Sequence, residues 1–108
     1  MNKYHNKKVM YDGIKFDSKK EANYYIKLKM LEKAGKIKDL KLQAPFTLIE
    51  TFRLNDKTYR KMKYIADFTY YDDKNNLHVV DTKGYRTKEY ELKKKLMAWK
   101  FGIEIEEV

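Results

Sequence analysis

The run Lys63-Tyr64-Ile65-Ala66-Asp67-Phe68-Thr69-Tyr70-Tyr71, the turn Asp72-Asp73-Lys74-Asn75-Asn76 and the return Leu77-His78-Val79-Val80-Asp81-Thr82-Lys83 decide the fold. Two segments rich in β-branched and aromatic residues flank a polar turn, which predicts an antiparallel strand pair over 63–71 and 77–83. Side chains alternate between faces along a strand, so Ile65, Asp67, Thr69 and Tyr71 share one face, and Leu77, Val79, Asp81 and Lys83 share the other's. With 72–76 as the loop, Tyr71 pairs with Leu77, Thr69 pairs with Val79, and Asp67 falls opposite Asp81. Directly opposed side chains have Cβ atoms roughly 4.5–5.5 Å apart, and like charges there destabilise the pair unless something positive sits between them. A divalent cation held by the two carboxylates, the Thr82 backbone carbonyl and waters meets that need. Lys83, two residues beyond Asp81, is placed to orient or deprotonate an attacking water and to offset phosphate charge. The plainer reading makes both acids solvent-facing, with Lys83 as an ion-pair partner. Two acids and a lysine on adjoining strands of a basic chain favour the metal-dependent site.

Working outward, Gly84 breaks the second strand, and Thr87 caps a helix to about Phe101, with Leu92, Leu96 and Trp99 on one side and Lys on the other. Gly102 ends that helix, and residues 103–108 alternate as a last strand. Upstream, Asp12-Gly13 between two short apolar runs signals a tight hairpin. Ser18 followed by Glu21 is a capping box that opens a helix running to Ala34, closed by Gly35. The inward stripe of this helix reads Glu21, Tyr24 or Tyr25, Leu28 and Leu31, which sets one carboxylate at the start of an apolar seam. Residues 37–42 and 46–52 read as strands or extended chain around Pro45, and 53–60 as a polar loop. The sum is an α/β domain over residues 9–108, with a central mixed sheet flanked by two main helices. Residues 1–8 read as a flexible basic arm.

Composition narrows the chemistry. In 108 residues, 25 Lys and Arg outweigh 16 Asp and Glu, a formal charge of +9, and there is no Cys. A chain of this length buries roughly 65% of its unfolded surface and needs no staple. Disulfides and a Cys zinc site are excluded, and two His make any zinc centre a poor expectation, so a metal would be oxygen-liganded. No apolar run approaches the roughly 20 residues of a membrane span, and the start has no apolar signal core. The expectation is therefore a cytoplasmic protein without a membrane partner. The excess positive charge points to a polyanion, and the Tyr residues among the lysines suit phosphates and exposed bases.

The Ala66-Asp67-Phe68 strand and the Asp81-Thr82-Lys83 element resemble the restriction-endonuclease-like nuclease superfamily, whose core is written PD-(D/E)-x-K. Asp67 matches its first acid, Asp81 its second and Lys83 its lysine, while Ala66 stands where the motif has Pro. Nucleases of that kind that resolve branched DNA often add a helix glutamate, and Glu21 fits that place. With Phe16-Asp17-Ser18-Lys19-Lys20-Glu21-Ala22 and the lysine-rich final helix, residues 9–108 are similar to a small phage-encoded family akin to Holliday junction resolvases.

That resemblance implies a restriction endonuclease-like core and a Mg2+-dependent endonuclease, with Mn2+ as a substitute, acting on branched DNA in phage recombination or processing. Glu21, Asp67, Asp81 and Lys83 would be catalytic, and Glu21, Asp67, Asp81 and the Thr82 carbonyl would hold the metal. Tyr85, Arg86, Lys88, Lys93 and Lys94 are the candidate DNA contacts, with Lys94 favoured because it follows Tyr90 by one helical turn. For Glu21 the capping box is a sufficient role without catalysis, its carboxylate then binding the Ser18 backbone N–H. Cutting both strands of a junction would require a homodimer. The rival expectations are a non-catalytic DNA-binding module of phage recombination or packaging, and an RNA-binding protein.

Overall fold

The computed structural model describes residues 7–83 and 87–108. Tyr85 and Arg86, and all of the N-terminal arm except the exposed Lys7 and Lys8, lie outside the described residues. The chain begins with strands β1 (Val9–Tyr11) and β2 (Ile14–Phe16), paired antiparallel. Asp12 and Gly13 between them both have positive φ, 53° and 72°, as the tightest hairpin turn demands.

Helix α1 (Lys19–Lys33) starts where the capping box puts it: the Glu21 backbone N–H donates to Ser18 Oγ at 3.1 Å. It ends at Ala34, with Gly35 at φ 76° beyond. The buried stripe is Glu21, Ala22, Tyr25 and Leu28. Tyr25 rather than Tyr24 takes the deep position, and Leu31 is only partly buried.

Strand β3 (Ile37–Ile49) is one continuous element where the sequence suggested two segments around Pro45. Pro45 is accommodated because β3 is an edge strand of the sheet, with one side that has no ladder to supply. A register shift between Lys38 and Lys41, with Asp39 at φ 55°, resets the alternation. It lets Ile37 and the later even-numbered Leu40 and Leu42 all reach the α1 side.

The expected polar loop at 53–60 is instead a second hairpin, β4 (Phe52–Leu54) and β5 (Lys57–Tyr59). Asn55 and Asp56 at its tip both take positive φ, a conformation that short polar Asn and Asp side chains tolerate. Strands β6 (Met62–Asp72) and β7 (Leu77–Asp81) follow, with Asp72 Oδ1 accepting from the Lys74 and Asn76 amides in the turn between them.

Helix α2 (Lys88–Phe101) is capped by Thr87 and stopped by Gly102 in the left-handed region. Its buried residue is Met97, with Tyr90 and Leu96 partly packed, whereas Leu92 and Trp99 are exposed, Trp99 by 79%. The inward stripe thus steps from Tyr90 to Met97, and the side expected to carry Leu92 and Trp99 inward faces out. The last strand is short, β8 (Glu106–Glu107), not 103–108. Ile103 and Ile105 pack into the α2 cluster instead.

The main sheet has the order β3-β6-β7-β8, antiparallel except for the parallel β7–β8 pair, so it is mixed. Val80 belongs to the cluster under α1, with Phe16, Tyr25, Leu28 and Phe68. Val79, its neighbour and hence on the other face of β7, belongs to the cluster under α2, with Tyr64, Ala66 and Met97. Two apolar layers therefore clamp the strand that ends in Asp81.

Candidate active site

The β6–β7 register is the one the turn length implies: Tyr71 pairs with Leu77, Thr69 with Val79 and Phe68 with Val80. The register ends at Phe68 and Val80, one residue short of Asp67 and Asp81. The ladder stops there because the next amides go to side chains. The Thr82 N–H and its hydroxyl both donate to Asp67 Oδ2 at 2.8 Å, and the Lys83 N–H donates to Asp81 Oδ1 at 2.9 Å. This is why β7 ends at Asp81 and not at Lys83.

Among the described residues the buried polar side chains are Glu21, Asp67, Thr69, Asp81 and Thr82. All belong to this corner of the fold or border it, and the three carboxylates are those that the sequence brought forward. Lys83 Nζ reaches Asp67 Oδ1 at 3.2 Å. Burial lowers the Lys83 pKa, but the charges of Asp67, Asp81 and Glu21 outweigh it, and the net direction is upward. The ammonium therefore stays charged, which suits orienting a water and not deprotonating it.

Glu21 does more than cap. Its Oε1 accepts the Asp17 backbone N–H at 3.0 Å, not that of Ser18, and its Oε2 accepts from Gln43 Nε2 at 3.4 Å. Burial is the main cause that raises its pKa to about 7, opposed by the Asp17 amide and reinforced by the charge and hydrogen bond of Asp67. Two carboxyl groups from α1 and β6 are thus held together with one lysine beside them. Gln43 comes within reach because β3 takes φ 51° there.

Tyr64 and Gln43 are site residues that sequence reasoning did not single out. Tyr64 is buried and donates its hydroxyl to Asp81 Oδ2 at 2.8 Å. Burial first, and then the Asp81 charge, push its pKa up, so it remains a donor. Its place three residues before Asp67 in an apolar strand was visible in the sequence, but only the hydrogen bond shows that it reaches Asp81.

The candidate DNA-contacting lysines lie on α2. Lys94 sits 3.3 Å from Glu107, which also accepts the Tyr90 hydroxyl at 2.7 Å, and Lys93 sits 3.7 Å from Glu89. Glu107 pairs with Asp81 across β7–β8, so Lys94 borders the site through its partner. Lys88 and Lys95 are exposed.

Carboxylate oxygens are the ligands that a hard cation such as Mg2+ takes. As the side chains stand, the oxygens of Asp81 are turned to Tyr64 and the Lys83 amide, and no three His, Cys, Asp or Glu side chains among the described residues form a metal-holding cluster. No helix among them is long and apolar enough to cross a membrane. No curated protein and no solved structure matches the chain. A family model described as a protein of unknown function, DUF1064, matches residues 1–106, and the chain belongs to that family.

Proposed function

We propose that this protein is a metal-dependent endonuclease that hydrolyses DNA phosphodiester bonds, acting on branched or structured DNA. The observation that carries the reading is the burial of Glu21, Asp67 and Asp81 in one corner of a chain of charge +9, with the Lys83 ammonium on Asp67. Burying charge is costly unless it is paired, and one lysine does not match three carboxylates. Glu21, Asp67, Asp81 and the Thr82 carbonyl would hold Mg2+, or Mn2+ in its place. Such an ion would polarise the phosphoryl group and lower the pKa of a bound water.

The residues of the chain itself then have separate roles. Lys83 orients the attacking water and offsets charge on the phosphate. Thr82 fixes Asp67 through two hydrogen bonds, and Tyr64 fixes Asp81 through one. The α2 lysines, with Tyr85 and Arg86, track the phosphate backbone. Two cuts in a four-way junction call for a homodimer.

The commitment of both Asp81 oxygens to protein donors favours a second reading, a DNA-binding module without catalysis. A cleavage panel of four-way junction, flap, duplex and single-stranded DNA separates the two, run with Mg2+, Mn2+ or EDTA. The nuclease reading expects metal-dependent cutting that Asp67→Asn or Asp81→Asn abolishes while DNA binding persists. Binding without cutting in any metal overturns it.

A further inference from the structure

The hairpin β4–β5 stands apart from everything described above. Its strands pair only with each other and join no other sheet. Every residue from 51 to 60 is exposed. Phe52, Leu54 and Tyr59 are 47%, 58% and 38% accessible, although a two-stranded hairpin with no core beneath it is marginal in water. Apolar side chains gathered on such a projection mark a contact surface.

The chemistry of that surface is specific. Phe52 and Tyr59 form a cross-strand pair whose rings stack with centroids 4.9 Å apart and planes 9° from parallel. Lys57 Nζ lies 5.1 Å from the Tyr59 centroid. Arg53, Arg60 and Lys61 are close in sequence, Arg53 being turned to Thr58 and to Asp56 at the tip. Exposed aromatic faces with a lysine over one of them, on a basic hairpin, suit a flat ring that carries an anion, which is what an unpaired nucleotide offers.

Position along the chain adds the geometry. Tyr59 precedes Asp67 by eight residues, and at about 3.3 Å per residue an extended chain sets the two at most on the order of 25 Å apart. That reach corresponds to at most roughly seven nucleotide steps at about 3.4 Å each.

We propose that the β4–β5 hairpin stacks on unpaired bases of DNA and so makes the protein prefer a duplex with a single-stranded interruption. The proposal deepens the nuclease reading by naming what selects the DNA structure, and it rests on that reading only for the ligand being DNA. Bases inside an intact duplex have no free face, so the hairpin distinguishes interrupted from continuous duplexes.

The test measures binding of the full-length protein, in EDTA, to a blunt duplex and to the same duplex with a central single-stranded gap, which has the same ends. The wild type should prefer the gapped DNA by about tenfold, the worth of one stacked base. The double variant Phe52→Ala/Tyr59→Ala should lose that preference and keep its blunt-duplex affinity, while Phe52→Trp keeps both. Both rings are exposed, and circular dichroism checks that the fold persists. A preference that survives the double variant, or an equal loss on both DNAs, overturns the proposal and leaves the hairpin to a protein partner. Preference without cutting in Mg2+ sinks the nuclease reading and keeps the hairpin's role. Cutting with a preference untouched by the double variant does the reverse.

Discussion

The Glu21 carboxyl, on the first turn of α1, lies against that of Asp67 in β6, and together with burial this contact holds the Glu21 pKa near 7. The pair joins the two halves of the site across the sheet. It also makes the metal-free protein sensitive to pH in a defined direction.

A carboxyl whose folded pKa lies above its unfolded value contributes stability at low pH and loses it as pH rises. With values of about 7 folded and 4.5 unfolded, the loss runs between those limits and amounts to about 3 kcal/mol at most. In EDTA, the wild type should lose stability from pH 5 to pH 8 by more than Glu21→Gln does, as read by urea unfolding. Equal losses in both proteins would remove Glu21 as the source.

Tyr64→Phe removes the donor to Asp81 Oδ2 at a buried position. An unsatisfied buried acceptor costs about 1–3 kcal/mol. The urea midpoint should fall with an unchanged slope, and cleavage should fall with it because Asp81 loses its anchor. A midpoint matching the wild type would show that Asp81 does not need the hydroxyl.

His78 bridges Asp72 and Glu106 and stacks on Tyr70 at 4.8 Å. The Asp72 hydrogen bond raises its pKa, burial opposes this, and Glu106 adds to the rise. NMR should find its ring titrating above 6.5, and Asp72→Asn should bring the midpoint down. The bridge stabilises the fold below pH 6.5 and is lost as pH rises through the folded pKa, so His78→Asn should flatten that decline. A midpoint at or below 6.5 would contradict the geometry.

Lys94 is held by Glu107, whereas Lys95 on the same helix is exposed. Lys95→Ala should weaken DNA binding and lower the salt slope by about 1, the loss of one phosphate contact. Lys94→Ala should change binding less and stability more. The reverse order would mean that DNA displaces Glu107.

Local chemistry fixes much of this protein from its sequence. Asp12-Gly13 sets the first hairpin, Ser18 and Glu21 set the start of α1, Thr87 and Gly102 bound α2, and a polar turn sets the β6–β7 register. Each depends on residues a few positions apart, where backbone preference and short-range hydrogen bonds decide. The continuity of β3 through Pro45, the brevity of β8 and the outward face of Leu92 and Trp99 depend on which neighbours are present, and those belong to tertiary structure. The same holds at the site. Spacing brought forward the three carboxylates and Lys83, but the direction of Glu21 Oε1 to Asp17, the Tyr64 anchor and the Gln43 contact arise from chain segments far apart in sequence. Those contacts exist only once two apolar layers close on β7, because burial is what turns an ordinary glutamate beside an aspartate into a strongly perturbed pair.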